Sequence, residues 1–113
     1  MENHLTAERI ANLLIAENID FEHKRMFGGD CFMVDDKMLM GTYKNGVMAR
    51  VGAGEAEALA NRRGAQQMNH AGKPMKGYLF LDFEAYESED DLLFWVNKCL
   101  MYNPLVVASK KKK

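Results

Sequence analysis

Cysteine and proline are both scarce: the 113 residues hold two of each, and a single tryptophan. Cys31 and Cys99 are far apart in sequence, and nothing near either has metal-ligand spacing. A chain with this much apolar material does not need a disulfide framework, so both thiols read as reduced, structural side chains packing like small apolar groups. No apolar run approaches the roughly 20 residues that cross a bilayer. Met1-Glu2-Asn3-His4 lacks a basic stretch followed by an apolar one, so no secretory signal is read and a cytoplasmic location is expected. Neither GxGxxG nor a loop ending in GK[ST] occurs, and no pair among His4, His23 and His70 falls at i,i+4 on a helix. No metal, cofactor or catalytic residue is therefore expected. His70, in a polar stretch, is the one histidine worth testing as an acid or base.

What is present is an ordinary globular balance of 48% hydrophobic and 27% charged residues, enough for one domain over 1–109. The formal net charge of −1 hides an asymmetry: without the four lysines of 110–113, the remainder carries −5. Such a body is a poor general phosphate binder, because nucleic-acid affinity comes mainly from clustered Lys and Arg. The lysine tail, 110–113, reads as a solubilising end.

Hydrophobic periodicity gives the elements. Thr6 can cap a helix reaching Asn18, with Ile10, Leu13 and Leu14 in one apolar stripe. From Phe21 to Val51 the period becomes two, a β-meander of three strands: about 22–34 bent at its glycines, then 37–43, then 47–51. Asp35-Asp36 makes the first turn and Asn45-Gly46 the second, the latter a strong signal for a type I′ hairpin. With Asn45-Gly46 as the loop, Tyr43 pairs with Met48 and Gly41 with Arg50. Met40, Thr42, Val47, Ala49 and Val51 then share one face, read as core against helices. Leu39, Gly41, Tyr43, Met48 and Arg50 share the other, which is half apolar and carries an arginine. A second helix is expected over about 54–63, a polar loop over 64–73, and an apolar strand over 77–83. That strand has Tyr78 and Phe80 on one side and Leu79, Leu81 and Phe83 on the other, the composition of a central strand. A final helix starts at Ser88 and stops before Pro104.

Two glycine-bearing stretches stand out. Arg25-Met26-Phe27-Gly28-Gly29 places adjacent glycines after an aromatic, a backbone that must bend or approach another group closely. Met75-Lys76-Gly77-Tyr78 echoes it ahead of the last strand. These stretches, with Asp36-Lys37-Met38, the Val47–Val51 strand and Leu92–Trp95, closely resemble the TfoX/Sxy N-terminal domain family over roughly Leu5 to Tyr102, as a single-domain member.

The resemblance implies a small α+β domain: an antiparallel sheet, the three-stranded meander plus at least one further strand, with N-terminal, middle and C-terminal helices mainly on one face. It is similar to YgaC-like and secretion-chaperone-like folds, and such domains are often dimeric. Named relatives regulate competence genes alongside a cyclic-AMP-responsive activator, and they carry a second, helical C-terminal module. The resemblance brings no catalytic residues; Arg25, Met26, Phe27, Gly28, Gly29, Lys76 and Gly77 are its landmarks. The expected function is a non-catalytic regulatory or protein-interaction domain, with Leu39, Tyr43, Met48 and Arg50 as the interface to a protein partner or a second copy in a homodimer. The alternative is a nucleic-acid-associated protein binding through Lys73, Lys76 and the lysine tail.

Overall fold

The computed structural model describes residues 2–26, 29–70 and 72–105, with the side chains of 2–4, 26 and 70 outside the description. Helix α1 spans Glu2–Ala16, strands β1 Glu22–Met26, β2 Gly29–Val34, β3 Lys37–Tyr43 and β4 Gly46–Arg50 follow, then helix α2 Ala53–Leu59, strands β5 Ala65–His70 and β6 Lys73–Leu81, and helix α3 Glu89–Tyr102. The six strands form one sheet in the order β1-β2-β3-β4-β6-β5, every described pairing antiparallel. The fold is α+β, as the periodicities indicate.

Helices α1 and α3 form where the apolar spacing is helical. Ala7, Ile10 and Leu14 of α1 and Leu92, Trp95, Val96 and Cys99 of α3 are buried against Phe32, Met40, Val47, Ala49, Leu79 and Leu81 from the strands. Burying a stripe of this kind stabilises by about 1.5–3 kcal/mol per large side chain. Trp95 Nε1 donates to the Ala85 carbonyl at 3.0 Å inside this layer. Ser88 caps α3, its Oγ accepting the Asp91 N–H at 3.0 Å, with three acidic residues in the first turn facing the positive end of the helix dipole. Arg9 ties α1 to the entry of α3 by donating to the Tyr86 carbonyl at 2.7 Å.

Several boundaries differ from the sequence reading. Thr6 is not a cap: nothing in Glu2–Leu5 breaks a helix, α1 begins a turn earlier, and Thr6 is buried within it. The stretch 22–34 is not one bent strand but the hairpin β1–β2, with Met26 opposite Gly29. Residues 65–70, expected as a loop, form the edge strand β5, which buries one apolar residue, Met68. A strand paired on one side can be polar elsewhere, so its composition resembles a loop.

The β3–β4 hairpin is shifted by one loop position. Tyr43 pairs with Gly46 and Gly41 with Met48, so Lys44-Asn45 is the turn, with Lys44 in the left-handed region at φ 53°. Asp35 and Asp36, at φ 57° and 64°, adopt the positive φ pair of a primed turn instead. Gly46 serves packing: a Cβ there would strike the Leu81 carbonyl oxygen and lie 2.7 Å from Phe80 Cζ. Because the slip is two residues in the pair sum, the faces survive it, and Tyr43 and Met48 remain on the same side. Leu39 does not. A bulge between Phe32 and Met33 pairs Phe32 with Met40 and Met33 with Met38. The residue left over, Leu39, is turned to the helix side, where it is buried.

Candidate functional site

All three helices contribute to the larger core, on one side of the sheet. The other side carries a second apolar layer whose described members all come from strands. Its inner part is Cys31, Met38, Met48 and Met68, all buried; Met33, Tyr43, Met75, Tyr78 and Phe80 pack against these and remain partly exposed. Strand register explains the gathering. Cys31, Gly41, Met48 and Phe80 lie in one row across β2, β3, β4 and β6. Arg50 pairs with Tyr78 in a neighbouring row. Tyr43 and Phe80 meet edge to face with ring centroids 6.3 Å apart, a favourable aromatic arrangement.

Cations lie at the Tyr43 and Tyr78 end of this layer, while Asp20, Glu22, Asp35 and Asp36 line a cavity with Met33 at another part of it. Lys44 Nζ lies 5.4 Å from the centroid of the Tyr43 ring and the Arg50 guanidinium 5.3 Å from that of Tyr78. Lys24 is the cross-strand partner of Cys31. Glu22, 4.0 Å from Lys24, supplies an opposite charge on the same side. Burial pushes the Cys31 thiol up to about 11, the nearby Lys24 partly opposing it. Burial likewise raises Cys99 to about 12, a backbone hydrogen bond opposing it. Both thiols are therefore protonated and poor nucleophiles near neutral pH.

Of the expected interface, Tyr43 and Arg50 lie at the partly exposed surface of this layer. Met48 is at its centre with 1% of its surface exposed, so it supports the face from within. Leu39 belongs to the opposite side. Lys24, Lys44, Met33, Met75, Tyr78 and Phe80 complete the site. Tyr78 and Phe80 were legible as one face of a strand; that this face continues the Tyr43 side depends on the β4–β6 pairing.

The landmark residues have structural posts. Arg25 is exposed, its Nε 3.8 Å from Asp30 Oδ1, and His23 Nε2 lies 2.7 Å from the same oxygen. A Cβ on Gly29 would lie 2.7 Å from Thr42 Oγ1, so this glycine lets β2 approach β3. Phe27 and Gly28 lie outside the described residues, as do the side chains of Met26 and His70 and the lysine tail. Lys76-Gly77 forms a wide bulge: Gln67 pairs with Leu79 but Asn69 with Pro74, leaving residues 75–78 of β6 opposite Met68. Gly77 sits at φ 86°, and its carbonyl accepts the N–H groups of Val51 at 2.9 Å and Gly52 at 3.0 Å. Gln67 Nε2 donates to the Met75 carbonyl at 3.0 Å, bracing the bulge from the other side. Lys76 thereby reaches the rim of a cavity of about 540 Å³ beside Ala56 and Glu57 of α2 and Ala60 at its C-terminal cap. Lys73, also exposed, lies at the start of β6.

Among the described residues no helix is long and apolar enough to cross a membrane. They also hold no group of three or more His, Cys, Asp or Glu side chains placed for a metal ion. An antiparallel sheet with helices on one side and a methionine–aromatic layer on the other defines a small α+β domain built around a two-sided sheet. The family model for the TfoX N-terminal domain matches residues 14–102, and the chain belongs to that family. At family level this is a regulatory or interaction domain, and the family is not a known enzyme family. Comparison with curated proteins gives no match.

Proposed function

We propose that this chain is a non-catalytic, cytoplasmic regulatory domain that acts by protein contact through the strand-built face of its sheet. The observation that carries the reading is the partly exposed layer of Met33, Tyr43, Met75, Tyr78 and Phe80, whose described apolar members all come from strands. Contiguous apolar surface on a water-facing sheet marks contact sites more often than it marks bare surface. Thioethers suit such a surface because they adapt to partners of different shape. Membership of the TfoX N-terminal domain family supports a regulatory setting, with transcriptional control of the competence type as the specific form proposed.

Site-specific photo-crosslinking tests this. A benzophenone amino acid placed at Tyr43 in the native host gives a discrete protein adduct; the same group at Met101, 68% exposed on α3, gives none. Adducts of equal yield at both positions, or at Met101 alone, refute the assignment of the face.

A further inference from the structure

Sulfur is unevenly divided between the two sides of the sheet. Cys31, Met33, Met38, Met48, Met68 and Met75 pack in the strand-side layer, whereas the helix-side core holds Met40 and Cys99. Within the layer, Cys31 Sγ lies 3.8 Å from Met33 Sδ. Two sulfurs bound to one ion by bonds of about 2.3 Å, at tetrahedral to trigonal angles, stand about 3.8–4.0 Å apart. The pair is thus already spaced as two ligands of a single metal. A third sulfur belongs to the same row: Gly41 separates Cys31 from Met48 and has no side chain to stand between them.

A second observation points to a cation. Met33 also lines an open cavity of about 290 Å³ with Asp20, Glu22, Asp35 and Asp36. Four carboxylates concentrate cations at that mouth, and the half-buried Met33 leads from it to the buried Cys31. Lys24, the cross-strand partner of Cys31, is offset by Glu22 at 4.0 Å. We infer that Cys31, Met33 and Met48 form a site for one Cu(I) ion. Thiolate and thioether donors select this soft ion. One thiolate neutralises a monovalent cation, so the loaded site adds no net charge to an apolar layer. Zn²⁺ on the same ligands would leave a buried positive charge. The described residues also hold no group of three or more His, Cys, Asp or Glu side chains to suit it. Binding transfers the ion from its carrier onto sulfur: the Cys31 S–H proton passes to solvent, a copper–sulfur bond replaces it, and no electron moves.

The test is anaerobic competition of the reduced full chain against bicinchoninate for Cu(I), with ultraviolet sulfur-to-copper charge-transfer absorption as a second readout. One Cu(I) binds per chain. Cys31→Ala weakens binding by about a hundredfold, and Met33→Leu and Met48→Leu by about tenfold each. Leucine nearly conserves the volume of methionine, so packing survives and the loss reports the missing thioether. Thermal melts show that each variant folds. Met40→Leu and Cys99→Ala, on the helix side, leave the affinity unchanged. Absence of Cu(I) binding, indifference to any of the three ligand variants, an equal loss in Met40→Leu, or displacement by excess Zn²⁺ overturns the inference.

Discussion

Gly46→Ala measures how the hairpin that builds the site is held. The added methyl would meet the Leu81 carbonyl oxygen and lie 2.7 Å from Phe80 Cζ. The carbonyl is backbone of a central strand and moves only if β6 moves, whereas the ring can give slightly. Forcing a methylene into packed surroundings costs about 1–3 kcal/mol, and the backbone contact puts this variant in the upper half of that range. At about 4 °C per kcal/mol for a domain of this size, the melting temperature falls by about 8–12 °C. Asn45→Ala is the control. The positive φ in this turn belongs to Lys44, so Asn45→Ala changes stability by no more than about 0.5 kcal/mol. Were Asn45-Gly46 a type I′ loop, both residues would need positive φ and the asparagine variant would itself cost about 1 kcal/mol. Thermal denaturation followed by circular dichroism separates the cases. Comparable losses in the two variants, or a Gly46→Ala protein as stable as the parent, would refute the reasoning.

Further outcomes follow from the same geometry. Gly77→Ala places a side chain at φ 86° and destabilises by about 1–2 kcal/mol, read by urea denaturation. Trp95→Phe leaves the Ala85 carbonyl without its buried 3.0 Å donor and removes ring volume, lowering stability by about 2–3 kcal/mol in the same assay. The thiols Cys31 and Cys99, raised by burial from 9.0 to about 11 and about 12, remain unmodified by a thiol reagent at neutral pH until denaturant is added. Their contribution to stability is complete below about pH 9, because folded and unfolded thiols are then both protonated. It is lost as pH rises from there towards the folded values, at about 1.4 kcal/mol per pH unit for each thiol. A Cys31→Ala/Cys99→Ala protein shows a shallower loss over that interval in urea denaturation.

Local signals carried much of the fold and only part of the site. The helical stripe of α3, its Ser88 cap and the two-sided apolar character of β6 are written within single segments, where burial and periodicity coincide. The side shared by Tyr43, Met48 and Arg50 was legible because alternation along a hairpin fixes faces even when its turn is misplaced. The turn slipped because Gly46 answers to β6, which joins from more than thirty residues away. Leu39 changed sides through a bulge whose signature is spread over two strands. Strand β5 was hidden because an edge strand with one buried methionine has the composition of a loop. Lys24, Tyr78 and Phe80 enter the site through cross-strand registers that no single segment encodes.

The most direct test of the docking face is methionine footprinting with dilute peroxide, comparing the purified chain with the chain in an extract of its native host. The account predicts that Met33 and Met75 oxidise readily when purified and become protected in the extract, while Met101 on α3 oxidises equally in both. Unchanged oxidation of Met33 and Met75, or protection confined to Met101, would contradict it.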